Sequence, residues 1–315
     1  MQPSASSRTE FAADVRAGLT KPGQKELPSK YLYDGLGTAL FEAITHLAEY
    51  GLTRADTRLL TAHAGDIAQA FKDDVAVAEF GSGTGQKSRL ILEALRRRPR
   101  YYPIDISPDA LAACELELTE VADVHPVAAT YLEGLAVVNG ERRKGEPLLL
   151  LFLGSTIGNF ERRCAREFLV EVRDRLQPGD GFLLGADLVK PIAQLIAAYD
   201  DPTGVTAAFD RNLLGRINRE LGANFDLRAF EHEARYDEQE RRIEMHLRST
   251  VAQEVSIPGA ACTVQFRKGE TIWTESSHKF ESAELAGMAA SAGFEVRATW
   301  SDEEWPFAET LWVAA

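Results

Sequence analysis

The spacing of apolar positions changes twice along the chain and divides it into three stretches. In residues 36–71 apolar side chains recur at helical spacing, as in Phe41, Ile44 and Leu47, which predicts helices. In residues 75–190 short apolar runs alternate with amphipathic segments. After this stretch the alternation ends, and polar helical segments together with alternating segments such as RRIEMHLRST predict a mixed α+β region.

The middle stretch has the pattern of a parallel sheet. The runs VAVAEF, YYPIDIS, PLLLLFLGST and GFLLGADL are short and mostly apolar, which is typical of strands that are covered on both faces. Helical segments such as SRLILEALRRR lie between them, and this alternation predicts parallel strands joined by right-handed crossovers. Near the end of the chain, EVRATWSD and AETLWVAA follow each other without a helix between them, so we expect them to pair antiparallel.

A parallel sheet closed by an antiparallel hairpin is the outline of class I S-adenosylmethionine (SAM)-dependent methyltransferases, and ordinary dinucleotide dehydrogenases lack that hairpin. We therefore predict an α/β protein with a Rossmann-like sheet, a terminal antiparallel hairpin and an inserted α+β substrate-binding domain. The predicted N-terminal helical segment, residues 1–55, contributes to the substrate site. Residues 56–190 and 281–315 form the predicted SAM-binding domain, and residues 191–280 the substrate-recognition domain.

The segment EFGSGTGQKS follows the first predicted strand and opens a helix. Four residues at alternate positions carry its pattern: Glu79, Gly81, Gly83 and Gly85. A phosphate-binding P-loop needs glycine directly before lysine, but Gln86 separates Gly85 from Lys87. The dinucleotide fingerprint needs two residues before its last glycine, and here there is one. The pattern resembles the first motif of SAM-dependent methyltransferases, with a plain strand-to-helix turn as the alternative.

Two further positions fit a cofactor and a substrate at the carboxyl ends of strands. Asp105 ends the second predicted strand, where a carboxylate can accept hydrogen bonds from both ribose hydroxyls. The alternative is a helix cap, for which Ser107 is better placed. In FLGSTIGNF the small residues Gly154 and Gly158 leave room after the third strand. Asn159 offers a carboxamide that suits a carboxylate-bearing substrate, or else forms a local turn.

Eight segments in chain order resemble the histidine-specific Nα-methyltransferases of ergothioneine biosynthesis (EgtD type), over roughly residues 27–315. They are LPSKYLYDGLGTALFEAIT, EYGLTRAD, GSGTGQKSRLILEAL, FLGSTIGN, LLGADLVK, AYDDPTGVTAAFDRNLLGRINREL, RRIEMHLRS and TESSHKF. The resemblance implies that L-histidine is methylated three times on its α-amine. The methyl donor is SAM, S-adenosyl-L-homocysteine is the by-product and hercynine is the product.

The resemblance also implies roles for individual residues. It places Tyr33 near the α-amine and Gly154 at the methyl-transfer point, as the catalytic positions. The implied substrate-binding residues are Tyr50, Asn159, Tyr199, Met245, Glu275, Ser276 and Ser277. Among them, Asn159 and Tyr199 hold the substrate carboxylate, whereas Glu275 and Ser277 bond the two imidazole nitrogens. Tyr50 and Met245 contact the imidazole ring.

The implied cofactor-binding residues are Glu79, Gly81, Gly83, Lys87, Asp105, Thr130 and Tyr131. Thr130 and Tyr131 stand where the family usually has Asp-Phe. Thr130 therefore offers the adenine a weaker hydroxyl contact in place of a carboxylate, and Tyr131 keeps an aromatic face. No metal site is predicted, because neither His246 nor His278 has a second ligand at useful spacing.

Composition limits the remaining alternatives. The formal net charge is −13, which disfavours a nucleic-acid partner. Three separated cysteines suit a reducing cytoplasm, and the sequence has neither a membrane-length apolar run nor the apolar core of a signal peptide. We expect a cytoplasmic monomer without a membrane partner. A methyltransferase of another amino acid or small amine, and a SAM-binding regulatory module, remain as alternative functions.

Overall fold

The structure, a computed structural model, describes residues 5–71 and 74–315, with side chains from residue 8 onward. In these ranges the helices are α1 Ala5–Thr20, α2 Gly35–Thr45, α3 Leu52–Gln69, α4 Gln86–Ala94, α5 Pro108–Leu118, α6 Tyr131–Glu141, α7 Arg162–Arg175, α8 Ile192–Tyr199, α9 Val205–Leu221 and α10 Ser282–Ala292. Among these described helices, none combines the length and the apolar character needed to cross a bilayer.

Strands over the same ranges belong to two larger sheets and one hairpin. They are β1 Lys25–Glu26, β2 Ala76–Phe80, β3 Arg100–Asp105, β4 Asp123–Val124, β5 Val127–Ala128, β6 Leu148–Phe152, β7 Gly181–Asp187, β8 Phe230–Asp237, β9 Arg242–Ser249, β10 Gln253–Ile257, β11 Cys262–Phe266, β12 Thr271–His278, β13 Phe294–Asp302 and β14 Phe307–Ala314. The chain divides into two compact units. The first unit comprises the described residues up to Gly51 together with Pro191–Ser277, and the second comprises Leu52–Lys190 together with His278–Ala315.

The second unit is built on the predicted parallel sheet. Its strand order is β13-β14-β7-β6-β2-β3-β4, and β5 also pairs with β3. Strands β2 to β7 pair in parallel, whereas β14 runs antiparallel to both β7 and β13. The predicted class I methyltransferase sheet and its terminal hairpin are therefore confirmed.

Strand β6 shows why this sheet is covered on both faces. Its sequence LLLLF is wholly buried. Leu148, Leu150 and Phe152 join the hydrophobic core on one face, while Leu149 and Leu151 join a separate core on the other. Because side chains alternate between the faces of a strand, both faces must be apolar, which explains the continuous leucine run.

The first unit contains the four-stranded sheet β1-β12-β9-β8 and the hairpin β10-β11. Helix α9 packs against β8 and β9. Residues Phe209, Leu213, Ile217 and Leu221 recur every fourth position of α9 and are buried, so they form one continuous apolar face. The helix ends at Gly222, whose φ of 67° is the left-handed conformation that favours glycine.

Candidate active site

The glycine loop lies between β2 and α4 at the carboxyl end of the sheet, and all its glycines have positive φ. The φ angles of Gly81, Gly83 and Gly85 are 67°, 52° and 78°. A Cβ on Gly85 would lie 2.6 Å from Leu118 Cδ1, so close packing excludes a side chain there. A Cβ on Gly83 would meet no atom within 4 Å. Gly83 therefore faces open space, as a ligand-binding loop requires.

Glu79 supports this loop from the interior. Its carboxylate is buried and accepts hydrogen bonds from the Ser88 hydroxyl and the Tyr101 hydroxyl. Burial raises the pKa of Glu79 to about 7, although these two donors and Lys87 favour the charged form. Within the protein, Glu79 connects the end of β2 with β3 and α4. A direct contact between Glu79 and the cofactor remains a prediction.

Asp105 lies at the end of β3, next to the loop. Its Oδ1 accepts a hydrogen bond from the backbone N–H of Ser107 (2.8 Å). The hydroxyl of Ser107 in turn accepts from the backbone N–H of Ala110 (3.3 Å) and caps α5. The cap role is therefore filled by Ser107. Burial raises the pKa of Asp105, although hydrogen bonds from the backbone N–H groups of Ser107, Gly83 and Ile106 favour its charged form. A contact between Asp105 and the ribose remains a prediction.

Thr130 and Tyr131 begin α6 and differ in what they offer a cofactor. The Thr130 hydroxyl donates to Glu133 Oε2 (2.6 Å), so it takes part in the helix cap. The Tyr131 ring packs 5.1 Å from the ring of Phe80, centroid to centroid. Its hydroxyl lies 3.4 Å from the position that a Cβ on Gly81 would take. Tyr131 thus reaches the glycine loop, and burial raises its pKa above the usual range.

The residues present fit SAM. Open space at Gly83, an acceptor at Asp105 and the aromatic Tyr131 lie around the carboxyl ends of neighbouring parallel strands. This is the edge at which open α/β sheets bind ligands, where the strand order reverses around β2. A carboxylate accepts from ribose hydroxyls, and an aromatic side chain offers a face to a purine.

Asp56 is a central residue of this unit. It ends the matched segment EYGLTRAD, but no role was predicted for it from the sequence. Its Oδ2 accepts from Lys87 Nζ (2.7 Å) and from the backbone N–H of Gly154 (3.0 Å). A Cβ on Gly154 would lie 2.9 Å from Lys87 Nζ. Glycine at 154, with φ of 69°, therefore lets the ammonium group pass close to the backbone. Asp56 fixes two predicted site residues at once.

Glu309 on β14 is the second unpredicted carboxyl beside this cluster. The side chain is fully buried, and its Oε1 lies 2.6 Å from the position of a Cβ on Gly185, its partner residue on β7. Burial and the neighbouring Asp56 raise the pKa of Glu309 well above its ordinary value. The surroundings of Glu309 therefore favour its neutral form.

The turn after β6 carries Gly154 and Asn159 and has an unusual backbone conformation at Ser155. Ser155 has a φ of 59°, which is uncommon outside glycine, and its hydroxyl accepts from the backbone N–H of Asp187 (2.9 Å). A Cβ on Gly158 would lie 2.9 Å from the carbonyl oxygen of His278. Asn159 ends the short 3-10 helix Thr156–Asn159. Its contact with a substrate carboxylate remains a prediction.

In the first unit the predicted tyrosines share one aromatic cluster. Tyr33 lies 5.4 Å from Phe41 and 5.5 Å from Phe209, measured between ring centroids. Tyr50 lies 6.3 Å from Phe41 and 5.9 Å from Tyr199. The rings meet edge to face, which is a favourable arrangement of aromatic quadrupoles. Side chains from α8, α9 and the segment around α2 therefore meet in one cluster.

Tyr33 is held by the start of α2. Asp34 caps that helix, because its Oδ1 accepts from the backbone N–H of Gly37 (2.8 Å). The same oxygen accepts from Asn212 Nδ2 in α9 (2.7 Å). A Cβ on Gly37 would lie 1.7 Å from the carbonyl oxygen of Leu32, so only glycine fits at this position. These contacts fix the backbone directly after Tyr33.

Glu275 and Ser277 lie on β12 and contact these tyrosines. The Tyr33 hydroxyl is 3.5 Å from Glu275 Oε1, at the long limit of a hydrogen bond. The hydroxyls of Tyr199 and Ser277 are 2.8 Å apart. Glu275 is only 9% exposed. A buried carboxylate and several hydroxyls therefore lie beside aromatic rings in one region of the first unit.

Met245 and Ser276 complete the predicted substrate set. Met245 on β9 is buried, and its carbonyl oxygen accepts from the Thr274 hydroxyl (3.0 Å), next to Glu275 on the neighbouring strand. Ser276 is buried between Glu275 and Ser277. The first unit thus holds Tyr33, Tyr50, Tyr199, Met245, Glu275, Ser276 and Ser277, and the second holds Gly154, Asn159 and all predicted cofactor residues.

A model of one protein family, described as histidine-specific methyltransferase, SAM-dependent, matches residues 11–314 of the chain. The chain is 42% identical to a histidine N-alpha-methyltransferase of Mycobacterium tuberculosis over 305 residues, which are 95% of this chain and 93% of that protein. It is 31% identical to ergothioneine biosynthesis protein 1 of Neurospora crassa over 93% of this chain but 33% of that longer protein.

More distant similarity extends to a methyltransferase named for another amino acid and to solved structures. The chain is 27% identical to an L-tryptophan methyltransferase of Psilocybe serbica, over 96% of this chain and 92% of that protein. A SAM-dependent methyltransferase structure from Clostridium acetobutylicum aligns over 87% of this chain and 97% of that one, with a TM-score of 0.47 and 10% identity.

Proposed function

The chain belongs to the family of histidine-specific, SAM-dependent methyltransferases, and on this basis we propose that it methylates the α-amine of L-histidine. Three successive transfers give hercynine. The observation that carries the choice of substrate is the buried Glu275 beside the hydroxyls of Tyr33, Tyr199 and Ser277. The reaction needs an acceptor amine, a bound side chain and an anchored carboxylate, and we assign residues to each.

Glu275 and Ser277 select the imidazole side chain in this proposal. A neutral imidazole presents one N–H donor and one acceptor nitrogen, which a carboxylate and a hydroxyl can satisfy together. A phenyl or indole ring in the same place would offer Glu275 and Ser277 no hydrogen bond in return for the water it displaces, which disfavours these side chains. Met245 and Tyr50 supply apolar contact with the ring.

Tyr33, Tyr199 and Asn159 orient the amino-acid end of the substrate. The amine must be neutral to attack, and its lone pair must point along the bond that breaks. Tyr33 directs the amine, while Tyr199 and Asn159 donate hydrogen bonds to the carboxylate. The methylated ammonium formed in each of the first two transfers loses a proton before the next, and tyrosine hydroxyls relay that proton to water. The third transfer yields a quaternary ammonium, which tyrosine faces stabilise.

SAM supplies an electrophilic methyl group on a sulfonium centre when it is bound. The residues that would hold it are Gly81, Gly83, Lys87, Asp105 and Tyr131, with Glu79 supporting the loop and Thr130 at the start of α6. Gly154, which carries no side chain, leaves room at the transfer point. Its backbone N–H is fixed by Asp56.

We further propose that the enzyme acts as a cytoplasmic monomer on a small molecule, without a nucleic-acid or membrane partner. The acidic net charge of −13 supports the absence of a phosphate-backbone partner. Three cysteines that are free in the structure suit a reducing compartment. Gel filtration with light scattering tests the monomer, because a dimeric mass would contradict it.

The direct test incubates the purified protein with SAM and L-histidine and follows the products by mass spectrometry. We expect mono-, di- and trimethylated histidine, with all methyl groups on the α-nitrogen by fragmentation. A panel of other amino acids and small amines in parallel tests the alternative that the substrate is a different amine. The absence of any product with histidine would refute the proposal.

A further inference from the structure

His232 on β8 is bonded at both ring nitrogens to groups that can only accept. Its Nδ1 lies 2.7 Å from Asp210 Oδ2, and its Nε2 lies 2.7 Å from the carbonyl oxygen of Tyr199. A neutral imidazole carries one N–H and can donate to only one of them, whereas an imidazolium donates to both. The side chain is 1% exposed, so water does not replace either partner. The two oxygen neighbours therefore favour a protonated His232.

The surroundings of His232 support this protonation state. Burial disfavours the charged ring, but the hydrogen bond and charge of Asp210, the Tyr199 carbonyl and the charge of Asp200 outweigh it and raise the pKa of His232. Asp210 belongs to α9, Asp200 follows α8, and β8 carries His232 itself. From β9, the nearby His246 is kept neutral, because burial lowers its pKa.

Tyr199 connects this cation with the proposed substrate side chains. Tyr199 is the last residue of α8, and its carbonyl belongs to the final turn, where helix carbonyls lack partners within the helix. A cation at this end also interacts favourably with the helix dipole. The hydroxyl of the same Tyr199 lies 2.8 Å from Ser277 Oγ, and its ring packs against Tyr50. The His232 ring, paired with Asp210, thus holds the backbone carbonyl of Tyr199 through one hydrogen bond.

We propose that the His232 imidazolium is a positioning residue that holds Tyr199 for the carboxylate of the substrate, so that histidine binding weakens as His232 loses its proton. This inference rests on the proposed function, because it takes Tyr199 as a substrate ligand. His232 itself touches neither substrate nor cofactor in this account. Its effect is transmitted through the end of α8.

Deprotonation has a definite consequence for these contacts. The remaining proton stays on Nδ1, because the Asp210 carboxylate is a stronger acceptor than a backbone carbonyl. Nε2 then presents a lone pair to the Tyr199 carbonyl oxygen, and the two acceptors repel each other. The end of α8 loses its anchor. Loss of the His232 proton should therefore raise the KM for histidine, whereas the pH dependence of kcat should follow the substrate amine and be the same in proteins with and without the His232 imidazolium.

The test compares wild type with His232→Asn, whose amide can still reach Asp210 but not the Tyr199 carbonyl. We measure kcat and KM for histidine from about pH 6 to about pH 9, where histidine side chains with raised pKa titrate. The substrate's own ionisations affect both proteins equally. We expect the variant to have a KM about tenfold higher at the acidic end, from the loss of one charged hydrogen bond. The two KM values should converge at the alkaline end.

A second variant and a direct observation complete the test. Asp210→Asn keeps the ring but removes the negative charge, so the rise in KM should begin about one pH unit lower. Nitrogen-15 NMR of the wild-type protein without substrate should show both nitrogens of His232 protonated near neutral pH. His63→Gln is the control, because His63 stacks on Trp300 in the second unit and should leave both kinetic constants unchanged.

Three results would overturn the inference: a neutral His232 ring in the NMR spectrum near neutral pH, equal pH profiles of KM in wild type and His232→Asn, or a change confined to kcat. The NMR result requires no substrate. Wild-type protein that binds no histidine would refute the proposed function together with this inference. Wild-type protein that binds histidine independently of His232 would refute this inference alone.

Discussion

Around the glycine loop, the buried carboxyls of Asp56, Glu79 and Glu309 lie close to Lys87, whereas around Tyr199 the buried Asp210 is matched by His232. The first group has more acids than bases, and burial raises the pKa of Glu79 to about 7 and the pKa of Glu309 well above its ordinary value. In the second group, Asp210 and Asp200 raise the pKa of His232 and favour its protonated ring. The stability that Glu79 contributes in the cofactor region should therefore change with pH below neutrality. The affinity for histidine in the substrate region should change at neutral pH and above.

The largest expected effect concerns the carboxylate that is assigned to the substrate. Glu275→Ala should lower the affinity for L-histidine about 100-fold, because a charged hydrogen bond to the imidazole is lost. Calorimetry with histidine and, separately, with SAM should show that SAM binding persists. Glu233→Ala is the matched control, since Glu233 is paired with Arg235. Unchanged histidine binding in Glu275→Ala would remove Glu275 from the substrate site.

Asp56→Ala should destabilise the protein by about 3 kcal/mol, because it leaves Lys87 without its carboxylate partner. The affinity for SAM should fall as well, since Lys87 and the Gly154 N–H lose their shared anchor. Urea unfolding and calorimetry measure the two effects. Asp66→Ala, an exposed position on the same helix, should stay within about 0.5 kcal/mol of wild type. Equal stability of the two variants would contradict the assigned role of Asp56.

Glu79→Gln tests the protonation of the cofactor region. The pKa of Glu79 is raised from 4.5 to about 7, so between these values the unfolded chain releases a proton that the folded protein keeps. Wild type should therefore lose up to about 3 kcal/mol of stability as pH rises through this window, and Glu79→Gln should not. The measurement is the difference between the two unfolding free energies at several pH values. A difference that is constant with pH would contradict the prediction.

The smallest expected effect is the difference between alanine substitutions at two glycines, Gly83 and Gly140. At both positions a Cβ would meet no atom within 4 Å. Gly83→Ala should cost about 1 kcal/mol, because alanine disfavours a φ of 52°, and should also weaken SAM binding. Gly140→Ala in α6 should stabilise the protein by up to about 1 kcal/mol, since alanine favours helix. Thermal unfolding and SAM titration compare them. Loss of SAM affinity in Gly140→Ala as well would show that the comparison is not specific to the loop.

The sequence predicted the sheet because its signals are local. The leucine run of β6 and the alternation of strands with helices follow from burial on two faces, and each can be recognised within ten or so residues. The glycine loop and Asp105 were found in the same way. Motifs that were matched separately assigned Tyr33, Tyr199, Glu275 and Ser277 to one substrate site, and the contacts of Tyr33 with Glu275 and of Tyr199 with Ser277 were found only in the structure.

Asp56, Glu309 and His232 could not be predicted, because each acts through a partner distant in sequence. Asp56 binds the backbone of Gly154, 98 residues away. Glu309 acquires its environment from its register with Gly185 on β7. His232 has no motif of its own, and its charge follows only from two acceptors that the fold brings to one ring. Pairwise geometry of this kind is not encoded in local periodicity.

The central claim, that Glu275 and Ser277 select the imidazole of a histidine substrate, is tested most directly by competition. Equal amounts of L-histidine and L-phenylalanine are incubated with SAM and the wild-type enzyme in one reaction, and the methylated products are compared by mass spectrometry. We expect histidine products to exceed phenylalanine products by about 10⁴-fold, as for other sites built to hydrogen-bond a substrate group. Equal methylation of the two amino acids by the wild-type enzyme would contradict the account.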